Sequence, residues 1–308
     1  MTTSTYISDT NARMARPPRG CRELAHHPYA AAGHAPSGGA RRPQHGAMAR
    51  CLLRCAHAAK IELGLIAFLY LLYQVGRGTV GDAFAEAQLH AHEIVAFERG
   101  LGLFWEGAVQ DAVETVPALA RLLSISYLSL HIAATATALV WLYRRHAASY
   151  AVARTTLVMG TAIALAIHVA FPTAPPRLAE IGIADTVATA GGVDLGSDLI
   201  GPFYNPIAAV PSMHFGYALL VGFFVAARGR RALVRTLGAL YPGFVLFVIV
   251  ATGNHFFFDA VAGGAVIVAA GFLARLAPRP RPNRDDGKTL GPLLGFPPDA
   301  KTSPAAGQ

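Results

Sequence analysis

The chain has 308 residues, of which 53% are hydrophobic and only 14% charged. A soluble domain carries roughly 25% charged residues, so a water-solvated globular enzyme is excluded and spans of about 20 apolar residues account for the length instead. The formal net charge is +8, but the basic residues stand in short clusters between apolar runs, a pattern of membrane orientation rather than of a groove for nucleic acid.

In chain order, residues 1–48 are rich in Arg, Pro, Gly, Ala and His without apolar periodicity, which predicts a disordered basic segment. Met48 is an alternative start. Cys21, Cys51 and Cys55 match neither a redox nor a zinc spacing and read as incidental thiols on a reducing side. The basic stretch MARCLLRCAHAAK leads into IELGLIAFLYLLYQV with no small-residue cleavage site after it, so residues 61–76 read as an uncleaved first span. Residues 82–116 intersperse Asp82, Glu86, Glu93, Glu98, Glu106, Asp111 and Glu114 with Phe84, Val95, Phe97, Leu101, Leu103, Phe104 and Trp105. That is amphipathic, and it predicts one or two interfacial helices rather than a span. His90 and His92 on this segment read as solvated.

Apolar runs then occupy roughly 117–142, 152–171, 208–227, 233–252 and 257–276. The fold class is therefore an all-α integral membrane protein: a bundle of about six transmembrane helices plus an interfacial amphipathic helical segment. The membrane domain covers 49–277, and a Pro- and Arg-rich tail, 278–308, is expected to be disordered.

Loop charge orients the bundle. Arg50, Arg54 and Lys60, then Arg144, Arg145 and Arg154, then Arg228, Arg230, Arg231 and Arg235, and finally Arg275, Arg279, Arg281 and Arg284 all fall on one side. The third-to-fourth connection holds only Arg177 beside Glu180, Asp185, Asp194 and Asp198, and the fifth-to-sixth holds no Lys or Arg. By the positive-inside rule both termini are cytoplasmic, and the loops at 172–210 and 252–257 meet on the outer face of the cell membrane.

Polar groups at membrane depth are expensive, so those near the outer face are functional candidates. His255 and Asp259 in GNHFFFDAVAGG share a helix face at a spacing of four. A carboxylate there fixes the imidazole tautomer and leaves the other ring nitrogen as an oriented nucleophile. Alone, the pair reads more readily as a buried polar contact. In AVPSMHFG, Pro211 suits the first turn of a helix whose free N–H groups attract an anion; Ser212 adds a hydroxyl and His214 a proton donor. Arg177 follows the stiff run Pro172-Thr-Ala-Pro175-Pro176, and its planar fork suits a phosphate. Together these supply an anion cradle, a proton donor and a nucleophile on one face, which fits a phosphate ester presented at the membrane surface. His131 and His168 read as helix-to-helix hydrogen bonds. Tyr204 and Asn205 are placed to line the mouth of the site.

The order Arg…Pro-Ser-x-His…His-x-x-x-Asp resembles the type 2 phosphatidic acid phosphatase superfamily. Together with LGLFWE, WLYRR and FPTAPPR it is most similar to the branch containing inositol phosphorylceramide synthases. The resemblance covers roughly residues 97–275. It implies that His255 attacks phosphorus to form a phosphohistidine, with Asp259 orienting it. It further implies that His214 protonates the leaving alcohol and then activates the acceptor, while Arg177 and Ser212 hold the phosphoryl oxygens. No cofactor or metal is implied, and the sequence offers no carboxylate cluster to bind one. The family's Lys and Pro around the first Arg are here Ala170 and Leu178, the Gly of its second motif is Met213, and its Ser-Arg before the nucleophile is Val248-Ile249. Two basic positions of the broad phosphatase pattern are thus absent.

The expected partners are the bilayer, a lipid or polyprenyl phosphate and, if the acceptor is not water, an alcohol such as inositol. The sequence leaves phosphatase and phosphotransferase open. A non-catalytic lipid-binding or lipid-moving protein on the same scaffold is the alternative, favoured by the missing basic residues and opposed by the intact His255, Asp259 and His214.

Overall fold

The computed structural model describes residues 83–197 and 205–276, apart from the single helical position Gly64. The first span read at 61–76, Tyr204 and both terminal segments lie outside the described residues. Within them the fold is all-helical: α1 (Phe84–Gly100), α2 (Glu106–Glu114), α3 (Pro117–Arg145), α4 (Ala147–Ala170), a 3-10 turn (Pro176–Leu178), the short α5 (Thr186–Thr189), α6 (Met213–Arg228), α7 (Ala232–Ala251) and α8 (Phe257–Leu276). An isolated parallel bridge joins Thr173 to Ala208.

Four helices, α3, α4, α7 and α8, are long and apolar enough to cross a membrane. Their positions match four of the predicted spans. The span read at 208–227 is instead the shorter helix α6, of 16 residues. At 1.5 Å per residue it reaches about 24 Å, short of a hydrocarbon core of about 30 Å. Its predicted first turn is extended because Thr173 N–H binds Ile207 O at 2.8 Å and Ala209 N–H binds Thr173 O at 3.1 Å. The residue before a proline also favours extended backbone, which disfavours a helix through Val210. The loop read between the second and third spans shrinks to His146 alone, with helix on both sides. Burial and the charges of Arg228, Arg230 and Arg145 push this imidazole below its ordinary range. Those arginines therefore gather at one end of the helices, and the motif-bearing loops gather at the other.

Small residues let the helices approach closely. α6 and α7 cross where a Cβ on Gly222 would lie 2.6 Å from Gly238 O and 2.9 Å from Pro242 Cδ. α8 meets the start of α6 so tightly that a Cβ on Gly263 would collide with the Ser212 carbonyl. One buried cluster joins Val113, Leu123, Tyr127, Val187, Val245 and Ile249 from α2, α3, α5 and α7. A second joins Ala87, Ala91, Ile94 and Val95 of α1 to Ala174, Ile207, Val210 and Phe256. α1 thus lies over the loops that carry the sequence motifs. His90, read as solvated, instead approaches Pro172 O through Nδ1 at 2.7 Å and stacks on Phe171 with ring centroids 3.9 Å apart.

Candidate active site

α7 ends at Ala251 with Thr252 as its cap, and Gly253 takes the left-handed conformation at φ 68°, as a residue following a helix C-terminus commonly does. The chain reverses and delivers Asn254 and His255 before α8 begins. His255 Nδ1 lies 3.1 Å from Ala209 O and 3.2 Å from Asp259 Oδ2. Both neighbours are acceptors, so Nδ1 carries the hydrogen and, in the neutral ring, Nε2 carries the lone pair. His255 is 5% exposed and Asp259 is fully buried.

The start of α6 is fixed to the same turn. Ser212 N–H donates to Asp259 O at 2.9 Å, and Ser212 Oγ caps the helix by accepting from Phe215 N–H at a long 3.5 Å. Two residues on, His214 places its ring centroid 5.5 Å from that of His255. It stacks on Tyr127 at 4.6 Å and meets His131 edge-on at 4.1 Å. His168 Nε2 reaches Pro211 O at 3.2 Å.

These groups border a cavity of about 480 Å³ between α3, α4 and α6. Tyr127, His131, His168, His214, Asn254 and His255 supply much of its polar wall, and Leu128, Ile132, Ala164 and Leu165 supply apolar wall on the α3 and α4 side. That size suits a small headgroup with part of a chain. His131 and His168 therefore contribute to the site as well as to helix contacts, and Asn205 lines it as expected.

Neither Arg177 nor Ser212 is part of the wall. Arg177 Nε donates to Asn254 Oδ1 at 3.0 Å, its NH1 pairs with Asp185 Oδ2 at 2.6 Å, and its side chain is 4% exposed. It stands behind Asn254, the neighbour of His255. Asn254 and Asp185 were not legible as site residues, since nothing in a loop sequence marks two positions 77 and 8 residues from Arg177 as its partners. Val248 and Ile249, which stand at two polar positions of the broader pattern, are buried in the core.

The acidic residues of the amphipathic segment divide in an unforeseen way. Glu86, Glu93, Asp111 and Glu114 are exposed, whereas Glu98 and Glu106 are buried against the first turn of α8. With Asp259 they bring three carboxylates to one helix end, which the sequence did not suggest. Glu98 continues the buried stripe Ala87, Ala91, Ile94 and Val95 at helical spacing, and that periodicity was the available signal. Among the described residues no group of three or more His, Cys, Asp or Glu is arranged to hold a metal ion.

The bundle thus combines long apolar helices with a buried, oriented His–Asp pair whose histidine borders one cavity with a second histidine 5.5 Å away. A family model described as the PAP2 superfamily matches residues 92–273, more than half of the chain. The protein belongs to that superfamily, whose members are phosphatases or phosphotransferases. No curated protein and no solved structure matches the chain.

Proposed function

We propose that the protein is a membrane-embedded lipid phosphatase or phosphotransferase that acts on a lipid or polyprenyl phosphate through a phosphohistidine on His255. The observation that carries this is the double acceptor at His255 Nδ1, which leaves Nε2 as the lone-pair nitrogen of a residue that borders a cavity shared with His214.

In the first step Nε2 attacks phosphorus and the ester P–O bond breaks. His214 gives its proton to the departing alkoxide, while Asp259 balances the charge gained by His255. In the second step His214 takes a proton from water or an alcohol, whose oxygen attacks phosphorus. The P–N bond breaks and its electron pair returns to Nε2. Arg177, held by Asp185 and Asn254, and the start of α6 at Ser212 favour the phosphoryl oxygens electrostatically. The chemistry calls for no metal ion. Opposite protonation demands on the two histidines give a bell-shaped pH profile.

In the same reading the first span at 61–76 completes a six-helix bundle, both termini are cytoplasmic and the site opens at the outer face. The arginine-rich helix ends opposite the site support that orientation. Exposed Leu89, Phe97, Leu101, Leu103 and Trp105 on and after α1 support an interfacial position for α1. The apolar wall from α3 and α4 supports a substrate that enters sideways from the bilayer.

The test is phosphate release and phosphoryl transfer by purified protein on a panel of lipid and polyprenyl phosphates, with and without inositol, for wild type and His255→Ala. Turnover by wild type that the folded variant loses supports the reading, and the product distinguishes phosphatase from phosphotransferase. Full activity in the variant rejects His255 as nucleophile. Binding without turnover by wild type favours the lipid-binding alternative.

A further inference from the structure

Glu98 and Glu106 have no part in the chemistry above, yet both are buried, at 2% and 0% exposure. They come from different helices and reach consecutive amides of one turn. Glu98 Oε1 accepts from Phe258 N–H at 2.7 Å, and Glu106 Oε1 accepts from Phe257 N–H at 3.1 Å. The preceding amide, Phe256 N–H, donates at 2.9 Å to Asp259 Oδ2, the same oxygen that faces His255 Nδ1. Three successive amides, from Phe256 into the first turn of α8, therefore each hold one carboxylate. A helix start offers free N–H groups that need such partners, but a single acid is the usual cap.

The second oxygens, Glu98 Oε2 and Glu106 Oε2, have no donor from any other residue among those described. Two buried carboxylates side by side cannot both ionise cheaply, whereas one proton held between them satisfies both. Burial first, and the Glu106 carboxyl second, push Glu98 up to about 9. The charged groups acting on Glu98 are Glu106 from α2 and Asp259 from α8, both of the same sign. Beyond Asp259 stands His255. On the same helix as Glu98, Arg99 is turned away onto the Phe104 ring, 4.8 Å from its centroid.

We infer that Glu98 and Glu106 form a proton-sharing acid pair that fixes the first turn of α8 and so aims His255 and Asp259 at the cavity. They are positioning residues and do not touch the reacting phosphate. The inference rests on the reading of His255 as nucleophile. It makes α1 and α2, which lie outside the spans, part of the machinery that holds the nucleophile in place. It also gives the glutamate of LGLFWE a task.

The test compares Glu98→Gln and Glu98→Ala with wild type and His255→Ala in the same assays. Glutamine can accept from Phe258 N–H and donate to Glu106 as the protonated acid does; alanine can do neither. Glu98→Ala is expected to lower kcat about 10- to 100-fold with little change in KM, because a small misplacement of the nucleophile costs that much. Glu98→Gln is expected to stay within about threefold of wild type, since both hydrogen bonds survive. Wild type is expected to show a further decline near pH 9, beyond the limb set by the histidines, as the shared proton leaves, and Glu98→Gln is expected to lack that step.

If Glu98→Ala does not fold, the presence or absence of the step near pH 9 in Glu98→Gln decides. If wild type itself turns nothing over, the proposed function fails separately. The pair is then judged by the rate at which diethyl pyrocarbonate modifies His255, read by mass spectrometry of its peptide. That rate should shift in Glu98→Ala and not in Glu98→Gln. A Glu98→Ala protein equal to wild type in kcat and in modification rate overturns the inference, as does a Glu98→Gln protein that fails along with it or keeps the wild-type step near pH 9.

Discussion

Asp259→Asn isolates the charge behind the proposed nucleophile, His255. The substitution is isosteric, and an amide oxygen in place of Oδ2 can still accept from Phe256 N–H and His255 Nδ1–H. The amide nitrogen then takes the place of Oδ1, which has no partner in the folded protein. Ala209 O also continues to hold Nδ1 at 3.1 Å, so the tautomer survives. What is lost is the negative charge 3.2 Å from a ring that becomes cationic as it bonds to phosphorus. Coulomb's law at an effective dielectric of 20 puts that attraction at about 5 kcal/mol as an upper bound. The charge-assisted part of one hydrogen bond is worth about 1.5–3 kcal/mol. A loss of about 2–4 kcal/mol lowers kcat roughly 30- to 1000-fold. The assay is single-turnover phosphoryl transfer with acid-quench trapping of the labelled, acid-labile phosphohistidine. Slower labelling at unchanged substrate affinity is expected. Labelling within threefold of wild type refutes the assignment of Asp259 as the group that balances charge on His255.

Glu98 ties stability to pH. The folded protein keeps this proton up to about 9, while an unfolded chain loses it near 4.5. The folded state thus binds more protons between those values, and stability falls as pH rises through them. Thermal unfolding in detergent at pH 5 and 8.5 should show this fall in wild type and a shallower one in Glu98→Gln. Gly263→Ala should destabilise by about 1–3 kcal/mol and impair turnover, because the new Cβ meets the Ser212 carbonyl. Gly243→Ala, with open space at its Cβ, should be neutral or mildly stabilising in the same melting assay. Asp185→Asn should weaken the 2.6 Å hold on Arg177 and raise KM more than it lowers kcat, measured by steady-state phosphate release.

Much of this architecture was readable from the chain because the bilayer imposes a crude and strong rule. Long apolar runs had to become α3, α4, α7 and α8, and Arg clusters had to mark one side. The pairing of His255 with Asp259 was also readable from their spacing of four, a local relation, although His255 stands in the turn before α8 and not on a shared helix face. What escaped was non-local. Glu98 and Glu106 looked like surface acids because acidic residues are usually solvated. Only their partner amides, more than 150 residues away, make burial tolerable. Likewise the extended segment before α6 depends on the Thr173 bridge. The inward turn of Arg177 depends on Asp185 and Asn254, and a phosphate-binding arginine read from sequence alone had no such company.

Among the described residues, the wall of the cavity carries no lysine or arginine, and Arg177 stands behind it with a carboxylate as counterion. A site of that kind exerts little long-range pull on dissolved anions. Its grip begins only at contact, through imidazoles and peptide dipoles. For the lipid phosphate proposed as substrate, capture then depends on two-dimensional diffusion within the leaflet, where a headgroup anchored by its own chains is already at the right depth. Soluble phosphate esters, however abundant, arrive from the wrong phase. The catalytic rate should accordingly respond to the surface fraction of substrate in the membrane and be nearly indifferent to ionic strength.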